Sequence, residues 1–266
     1  MRSVSKIFIY PLKSATGIDL NNSNVNSRGL QHDRRLAVID NDNKVITARE
    51  HPELLQIRCN ISDQGIELCH ESSVKMVRFE NSRRTLPLVV FREPATGVSL
   101  GTEADVWISD YLGVDCKLVY MNDHSFRPVL AEYGGKDGDE VSYADECPIL
   151  LLSEASISDL NTRLEKPVSI DHFRPNIVIK GCSPYEEDSW SYIRIGDSEF
   201  EVAQLCKRCV FVTIHPETGE KDKNQEPLRT LAQYKKHPKG GAAFGVHLIP
   251  RKIGQIKKGD LLEVVS

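Results

Sequence analysis

The pattern of hydrophobic and polar positions predicts many short strands and few helices. Short apolar runs rich in Val, Ile and Leu, bounded by Asn, Asp, Gly and Pro, recur along the chain, which is typical of strands. The predicted strands are Val4–Tyr10, Leu36–Asp40, Lys44–Ala48, Leu54–Asn60, Leu86–Phe91, Lys117–Met121, Ile149–Leu152, Asn176–Lys180, Tyr192–Ile195, Phe200–Leu205, Val210–Ile214 and Leu261–Val265. Leu36–Asp40 and Lys44–Ala48 form a predicted hairpin, because the Asn and Asp residues between them tolerate left-handed turn geometry.

Three segments have the apolar spacing of amphipathic helices. The first begins at Thr102, where Thr102 and Asp105 have the spacing of a capping box, the second begins at Ser153, and the third has Pro227 in its first turn. So few helices cannot cover a parallel sheet on both faces, which argues against a doubly wound fold. The pattern therefore predicts a mainly β (α+β) fold built from barrel-like sheets with a few short helices.

A polar, glycine-rich segment separates two groups of predicted strands. Glu132–Glu140 contains three glycines and shows no periodicity, so it is predicted to be a mobile loop between two halves of the protein. We place the domain boundary near residue 120. The chain then comprises an N-terminal domain, residues 1–120, and a C-terminal domain, residues 121–266.

Composition narrows the functional classes. The 266 residues are 40% hydrophobic and 27% charged, and the 34 basic and 38 acidic residues give a net charge of −4. This balance provides no general attraction to nucleic acid or to an anionic membrane. The run Ile7–Tyr10 is too short for the apolar core of a signal peptide, and no apolar stretch approaches the ~20 residues of a membrane helix. We expect a cytoplasmic protein with no nucleic-acid or membrane partner.

The cysteines are expected to be reduced. There are seven, an odd number, and most are scattered through strand-like segments. A chain of this size does not need disulfides for stability, so most of these thiols should act as small buried hydrophobic groups. Only Cys206 and Cys209 lie close together in the sequence.

The motif Cys206-Lys207-Arg208-Cys209 is the sharpest chemical feature. Basic neighbours such as Lys207 and Arg208 lower the pKa of a thiol and favour the thiolate, which binds metals. A thioredoxin-like pair would open a helix, whereas the β-branched run Val210–Ile214 follows here. A zinc site would need a second pair of ligands, which the dispersed histidines do not supply. A single thiolate bound to a soft metal and a merely structural pair both remain open.

Basic residues at separated strand ends form a second feature. They occur in Lys13-Ser14, in Arg34-Arg35 and in Arg174-Pro175-Asn176. Arg and Lys beside hydroxyl or amide groups suit a phosphate, because they give charge-assisted hydrogen bonds. Each of them taken singly is better explained as a solvated loop charge, so only the set as a whole indicates a binding site. The glycine-rich segment Gly240–Gly245 lacks the lysine and the spacing of a phosphate-binding loop.

These motifs, in this order, resemble the MOSC family, and within it the bacterial YcbX-type proteins and the mitochondrial amidoxime reducing component. The similarity covers almost the whole chain, and its most specific elements are Phe-Arg-Pro-Asn and Cys-x-Arg-Cys. The matching stretches are Tyr10–Ser14, Asp33-Arg34, Thr47–Arg49, Leu152–Ser156, Phe173–Val178, Glu187–Trp190, Ile195–Asp197, Cys206–Cys209, Glu226–Leu228, Thr230-Leu231, Phe244-Gly245 and Gly259-Asp260.

The resemblance implies a fold and a cofactor. It implies an N-terminal β-barrel-like domain packed on a MOSC β-barrel domain, with the molybdenum cofactor (Mo-molybdopterin) between them. Cys209 corresponds to the cysteine that gives its thiolate to molybdenum in the family. The positions that match pterin- and phosphate-binding residues are Lys13, Ser14, Arg34, Arg174 and Asn176, and further candidates carried over from the family are Asp145, Ser153, Lys207 and Arg208.

The implied activity is the two-electron reduction of N-hydroxylated compounds such as amidoximes, hydroxylamines and N-hydroxylated bases. Lys207 departs from the serine that is frequent at its position in the family. Some YcbX-type relatives carry a C-terminal iron–sulfur domain with a ferredoxin-like cysteine spacing, which is not found here. Electrons are therefore expected from a separate donor protein of the ferredoxin, flavodoxin or cytochrome type. The alternative is a sulfur or molybdenum-cofactor carrier that acts through a persulfide on Cys209.

Overall fold

The computed structural model describes residues 1–62, 64–78 and 84–265. Within these ranges the fold is mainly β, as predicted. The strands are β1 (Ser3–Ile9), β2 (Ile18–Leu20), β3 (Asn22–Asn26), β4 (Gly29–Leu30), β5 (Leu36–Ile39), β6 (Val45–Ile46), β7 (Arg58–Ser62), β8 (Gly65–His70), β9 (Ser73–Val77), β10 (Thr85–Val90), β11 (Glu93–Ser99), β12 (Lys117–Tyr120), β13 (Ile149–Ser153), β14 (Ile177–Lys180), β15 (Tyr192–Ile195), β16 (Ser198–Arg208), β17 (Ala242–Lys252), β18 (Gly254–Lys257) and β19 (Leu262–Val264).

Helices are few and short. The α helices are α1 (Thr102–Leu112), α2 (Glu154–Asn161) and α3 (Leu228–Tyr234), and the 3-10 helices are Pro52–Gln56, Ala131–Tyr133, Ile170–His172, Glu186–Ser189 and Val210–Thr213. Among the described residues, no helix has both the length and the apolar character needed to cross a bilayer. The three predicted α helices are confirmed. The predicted capping box is wrong, because Gly101 precedes α1 and gives no side-chain cap, and the Asp105 carboxylate instead accepts the N–H of Leu118 at 2.9 Å.

The largest sheet combines the first strands of the chain with strands from its second half. Its eight strands run in the order β19-β15-β16-β17-β13-β14-β1-β2. β1 is antiparallel to β14, whereas β13 and β14 are parallel. Alternate residues of these strands, including Ile7, Leu151, Ile177 and Val246, are fully buried in one apolar cluster. Residues that follow β1 are therefore held next to residues that precede β14.

A second core supports the N-terminal half. The five-stranded sheet has the order β10-β11-β12-β5-β6, and β7, β8 and β9 form a separate three-stranded sheet. Ile108 of α1 packs with Leu36, Leu68 and Leu118 in one buried cluster that joins the two sheets. The predicted hairpin is confirmed, since β5 pairs antiparallel with β6 and Asn43 in its turn has a φ of 61°.

Two predicted strands are wrong in part or in full. The strand predicted at Leu54–Asn60 begins only at Arg58, because Pro52 starts a 3-10 helix in which Leu54 and Leu55 are buried. The run Val210–Ile214 is a 3-10 helix, Val210–Thr213, closed by a hydrogen bond from the Thr213 hydroxyl to the Val210 carbonyl at 2.8 Å. β-branched residues favour strands, but here the chain turns as soon as β16 ends.

The glycine-rich segment Glu132–Glu140 contains no extended strand, as predicted, yet it is tied to the large sheet. Lys136 forms a 2.7 Å ion pair with Glu201 on β16. Asp139 accepts a 2.9 Å hydrogen bond from Arg251 on β17. These contacts hold the segment against the sheet and argue against the expected mobility. The domain boundary near residue 120 stays a prediction.

Candidate functional site

A cleft of about 460 Å³ gathers most of the predicted site residues. This volume is within the range of small-molecule and cofactor sites. The predicted residues that line it are Lys13, Ser14, Arg34, Asp145, Arg174, Asn176, Lys207, Arg208 and Cys209. The three basic positions, which are distant in the sequence, therefore share one cavity with the Cys-x-x-Cys motif.

Ser153 is not brought to the cleft. Its hydroxyl accepts the Ser156 N–H at 3.1 Å and caps the N-terminus of α2, and the same oxygen lies 2.7 Å from the Ser156 hydroxyl. The Ser153 backbone N–H donates to the buried carboxylate of Glu187 at 3.1 Å. We therefore correct the prediction for Ser153, because its polar groups are engaged in holding α2 in place.

Backbone conformation is unusual at three of the predicted site residues that line the cleft. Ser14, Arg34 and Arg174 have φ values of 71°, 48° and 53°, in the left-handed region that residues with a Cβ avoid. Such a conformation costs on the order of 1–2 kcal/mol at each position and tends to occur at functional sites. The chain turns sharply after β1, before β5 and before β14, and each turn brings a polar or basic side chain into the cleft.

Arg34 and Arg174 enclose the ring of Tyr10. Their guanidinium carbons lie 4.5 Å and 4.0 Å from the ring centroid, which is a favourable cation–π arrangement. Arg34 pairs with the buried Asp33 at 2.5 Å and donates to the side-chain oxygen of Asn176 at 3.2 Å. Burial, together with the charge of Arg34, lowers the pKa of Arg174 to about 10. These contacts hold two positive charges side by side at the cleft.

Two guanidinium nitrogens in the cleft lack acceptors. Arg174 Nη2 and Arg208 Nε are buried and have no hydrogen-bond partner among the described residues. Leaving a buried donor unpaired costs about 1–3 kcal/mol, more when it is charged. An anionic ligand in the cleft would supply the missing acceptors through charge-assisted hydrogen bonds.

A chain of charged groups leads from Lys13 to Cys209. The Lys13 amine donates to the Tyr143 carbonyl at 2.7 Å and pairs with Asp145. Asp145 also lies 3.5 Å from the guanidinium of Arg49, whose Nη1 is 4.0 Å from the Cys209 sulfur. Burial favours the neutral carboxyl of Asp145, but Lys13 and Arg49 outweigh it and hold the pKa well below its usual range. Burial lowers the pKa of Lys13, against the opposing effect of Asp145.

The two cysteines of the motif have different surroundings. Cys206 lies in β16 and is buried, whereas Cys209 follows the end of this strand and is exposed. Arg208 donates to the Cys206 sulfur at 2.9 Å and to the Phe173 carbonyl at 2.8 Å. Burial would raise the pKa of the Cys206 thiol, but Arg208 and His247 outweigh it and lower the pKa to about 7. Lys207 instead donates to the Lys239 carbonyl at 3.2 Å.

Several cleft residues were missed at the sequence level. They are Thr47, Arg49, Glu146, Cys147, Gln204, His237, Lys239 and His247. Thr47 and Arg49 belong to a stretch that matched the family, so a signal for them existed. His247 had none, because it is a single histidine in β17, a strand that contains glycine and proline and was not predicted.

Among the described residues, no three His, Cys, Asp or Glu side chains converge in a way that would hold a metal ion. The zinc interpretation of Cys206 and Cys209 therefore has no additional ligands in the described ranges. A thioredoxin-like pair is not supported either, since Cys206 lies inside a strand. The arrangement offers an exposed thiol, Cys209, beside a strongly basic cavity wall.

Comparisons with known proteins place this geometry in a family. The model of the MOSC N-terminal beta barrel domain matches residues 1–115, and that of the MOSC domain matches residues 138–263. Mitochondrial amidoxime-reducing component 1 of Mus musculus is 35% identical over 277 residues, which cover 97% of this chain and 81% of that protein. Mitochondrial amidoxime reducing component 2 of Bos taurus is 34% identical over 275 residues, with 97% and 82% covered.

The solved structure of the YUAD protein from Bacillus subtilis covers 98% of this chain and 94% of its own, with a TM-score of 0.46 and 8% identity. Between them, the two domain matches include Lys13 and Arg34 in the first and Arg174 and Cys209 in the second. The chain therefore belongs to the MOSC-domain family and is a homologue, over almost its whole length, of the mitochondrial amidoxime-reducing components.

Proposed function

We propose that this protein is a molybdenum-cofactor-dependent reductase of N-hydroxylated compounds. The observation that carries the proposal is that the exposed Cys209 thiol opens into the same cleft as Lys13, Arg34 and Arg174. A soft thiolate suits a redox metal in a sulfur-rich environment, and the basic groups suit an organic phosphate. The homologues named above are amidoxime-reducing components.

The residues of the cleft fit such a cofactor. Arg174 and Arg208 line the cleft, and their Nη2 and Nε atoms, respectively, are buried without a hydrogen-bond acceptor among the described residues. Asn176 is buried and fixed, since its amide donates to the Phe8 carbonyl at 3.1 Å and its oxygen accepts the Leu150 N–H at 3.1 Å. Ser14 holds its left-handed conformation without glycine. A rigid, positively charged wall therefore exists before any ligand binds, which reduces the entropic cost of binding.

Each group has a role in this proposal. Lys13, Ser14, Arg34, Arg174 and Asn176 bind the pterin and its phosphate, and Cys209 holds the metal. Asp145 keeps Lys13 and Arg49 in place and offsets part of their charge. When bound, the cofactor supplies two-electron redox chemistry, while the protein provides orientation and electrostatics. The exposed Lys207 amine donates to the backbone carbonyl of Lys239. In this proposal Lys207 lies at the edge of the cleft and does not bind the cofactor.

The electron source in this proposal is a separate protein of the ferredoxin, flavodoxin or cytochrome type. The substrate is a small N-hydroxylated molecule such as an amidoxime, a hydroxylamine or an N-hydroxylated base. We also propose a cytoplasmic location, in keeping with seven cysteines that are all free thiols in the structure.

Molybdenum content tests the proposal. The protein is purified from a host that makes the cofactor, and molybdenum is measured by elemental analysis together with reduction of benzamidoxime by a chemical electron donor. The wild type should contain molybdenum close to equimolar with the chain. Cys209→Ala should lose both the metal and the activity, while Cys206→Ala and the remote Cys69→Ala should keep the metal. A metal-free wild type, or equal metal in Cys209→Ala, would contradict the proposal.

The exposure of Cys209 also suits the second candidate, a sulfur or cofactor carrier. This candidate predicts a persulfide on Cys209 and no reductase turnover with any electron donor. Mass spectrometry of the intact protein, before and after reduction, distinguishes the two functions. A mass increase of one sulfur atom that disappears in Cys209→Ala would favour the carrier.

A further inference from the structure

The proposed reaction needs protons as well as electrons. Reduction of a hydroxylamine follows R–NH–OH + 2 e⁻ + 2 H⁺ → R–NH₂ + H₂O, so the N–O bond breaks and its oxygen leaves as water. The donor protein supplies the electrons, and the cofactor-binding residues named above supply no proton. Lys13, Arg34 and Arg174 are committed to ion pairs, aromatic contacts and the ligand. A proton donor should be a titratable group elsewhere on the cleft wall.

The lining of the cleft also includes a linked set of titratable groups. His247 lies on β17 opposite Gln204 of β16 and is only 9% exposed. Its Nδ1 is 3.6 Å from the Glu146 carboxylate, and Cys206 and Cys147 are close enough for their charge to act on its imidazole. All of these residues line the cleft.

Three further contacts fix this arrangement. Gln204 donates to the Glu146 carboxylate at 3.1 Å, with its amide nitrogen 3.5 Å from His247 Nδ1. Arg208 donates to the Cys206 sulfur at 2.9 Å. A thiol next to an imidazole that is oriented by a carboxylate is the arrangement by which enzymes move a proton between neighbouring groups. The basic Arg208 stabilises the thiolate form of this pair.

We propose that Cys206 and His247 form a proton-donating pair on the cleft wall that serves the reduction of the N-hydroxylated substrate. This inference rests on the proposed function. Glu146 and Arg208 are positioning residues, because they act through His247 and Cys206. In each transfer a His247 N–H bond breaks and an O–H or N–H bond of the substrate forms. Solvent then returns the proton to the imidazole.

The charges around the pair favour its ionised form near neutrality. Burial opposes protonation of His247, but Cys206 and Cys147 outweigh it and raise the pKa of the imidazole well above its usual value. Arg208 and His247 lower the pKa of Cys206 to about 7, against burial, and Glu146 works in the opposite direction. Near neutral pH the pair therefore holds a proton on His247, and this proton is lost as the pH rises through the pKa of the imidazole.

Steady-state kinetics of the molybdenum-loaded enzyme give the first test. His247→Gln preserves size and hydrogen bonding but cannot donate a titratable proton. We expect kcat to fall at least about tenfold, with the KM and the molybdenum content nearly unchanged, because general acid catalysis contributes ~10²–10⁴-fold. We also expect the kcat of the wild type to decline at alkaline pH, and this decline should be absent from His247→Gln. The matched control is His124→Gln, which changes an exposed histidine outside the cleft and should behave as the wild type.

Alkylation of the cofactor-free protein gives a readout that does not depend on activity. Iodoacetamide labelling of Cys206, followed by mass spectrometry across a pH series, should show a midpoint near 7 in the wild type. The midpoint should rise in His247→Gln and stay the same in His124→Gln. If the wild type binds molybdenum and is active, but His247→Gln leaves kcat, its pH profile and the labelling midpoint unchanged, this inference fails while the proposed function stands. A wild type without molybdenum or activity overturns the proposed function itself, and the inference with it.

Discussion

Arg49 Nη1 lies 4.0 Å from the sulfur of Cys209, although 160 residues separate the two in the sequence. Arg49 follows the hairpin of β5 and β6, whereas Cys209 follows β16 in the other half of the chain. Asp145, itself paired with Lys13, contacts the same guanidinium at 3.5 Å. Burial opposes the charge of Arg49, but Asp145 and Cys209 outweigh it and raise its pKa. The contact therefore joins both halves of the chain at the exposed thiol.

Removing this guanidinium should make Cys209 less reactive. In Arg49→Ala, the rate of Cys209 alkylation by iodoacetamide at neutral pH should fall roughly two- to fivefold, the effect of a partly exposed ion pair of about 0.4–1 kcal/mol. Arg49→Lys should give an intermediate rate, since it keeps the charge but not the planar group. Labelling of the cofactor-free protein followed by mass spectrometry measures the rate. An unchanged rate in Arg49→Ala would show that the contact has no electrostatic effect on the thiol.

Much of the architecture could be predicted from the sequence because it depends on local patterns. Apolar runs bounded by turn residues located most of the strands, and Asn43 adopts the left-handed turn that the β5–β6 hairpin was expected to need. Val210–Thr213 was misplaced because β-branched residues are common in strands, while the actual 3-10 helix depends on a side-chain hydrogen bond of Thr213. Local propensity does not reveal such a bond.

His247 was missed at the sequence level for a similar reason. β17 contains Gly245 and Pro250, residues that are rare within strands, so the segment was not recognised as a strand. Gly245 has a φ of 76°, and a Cβ there would lie 2.7 Å from the Leu151 carbonyl oxygen. The glycine thus allows β17 to approach β13 closely. His247 reaches the cleft only through this tertiary contact, which no short sequence pattern encodes.

Arg174 should matter for the cofactor much more than for folding. The left-handed backbone of Arg174 and its unpaired Nη2 destabilise the cofactor-free protein. These two effects offset the stabilisation that Arg174 gains from its contact with the Tyr10 ring. In Arg174→Gly, molybdenum content should fall at least about tenfold, while the free energy of unfolding of the cofactor-free protein should change by less than about 1 kcal/mol. Elemental analysis and urea denaturation measure the two effects. Arg163→Ala, which removes an exposed ion pair, is the control and should change neither quantity. Molybdenum retained in Arg174→Gly would refute the role of Arg174 in cofactor binding.

The Lys13–Asp145 pair should give the protein a characteristic dependence on pH. The pKa of Asp145 is lower in the folded than in the unfolded protein. The ionised carboxylate therefore contributes its full stabilisation at pH values above its pKa in the unfolded protein, near 4, and this stabilisation is lost as the pH falls below that value. Because the Asp145 side chain is 38% exposed, solvent screens the pair. Asp145→Asn should therefore reduce the free energy of unfolding by roughly 1–2 kcal/mol at pH 7. Urea denaturation at pH 7 and pH 3 should show this difference shrinking at the lower pH, and a constant difference would contradict it.

A substitution of Ser153 distinguishes most clearly between a structural role and a role in cofactor binding. Its hydroxyl caps α2 through the Ser156 N–H, so Ser153→Ala should lower the free energy of unfolding by about 1 kcal/mol. The same variant should keep the molybdenum content of the wild type, because Ser153 does not line the cleft. Ser14→Ala is the comparison, since Ser14 lines the cleft in a left-handed conformation and should lose cofactor instead. Denaturation and elemental analysis on both variants decide the matter, and loss of molybdenum in a well-folded Ser153→Ala protein would restore Ser153 to the site.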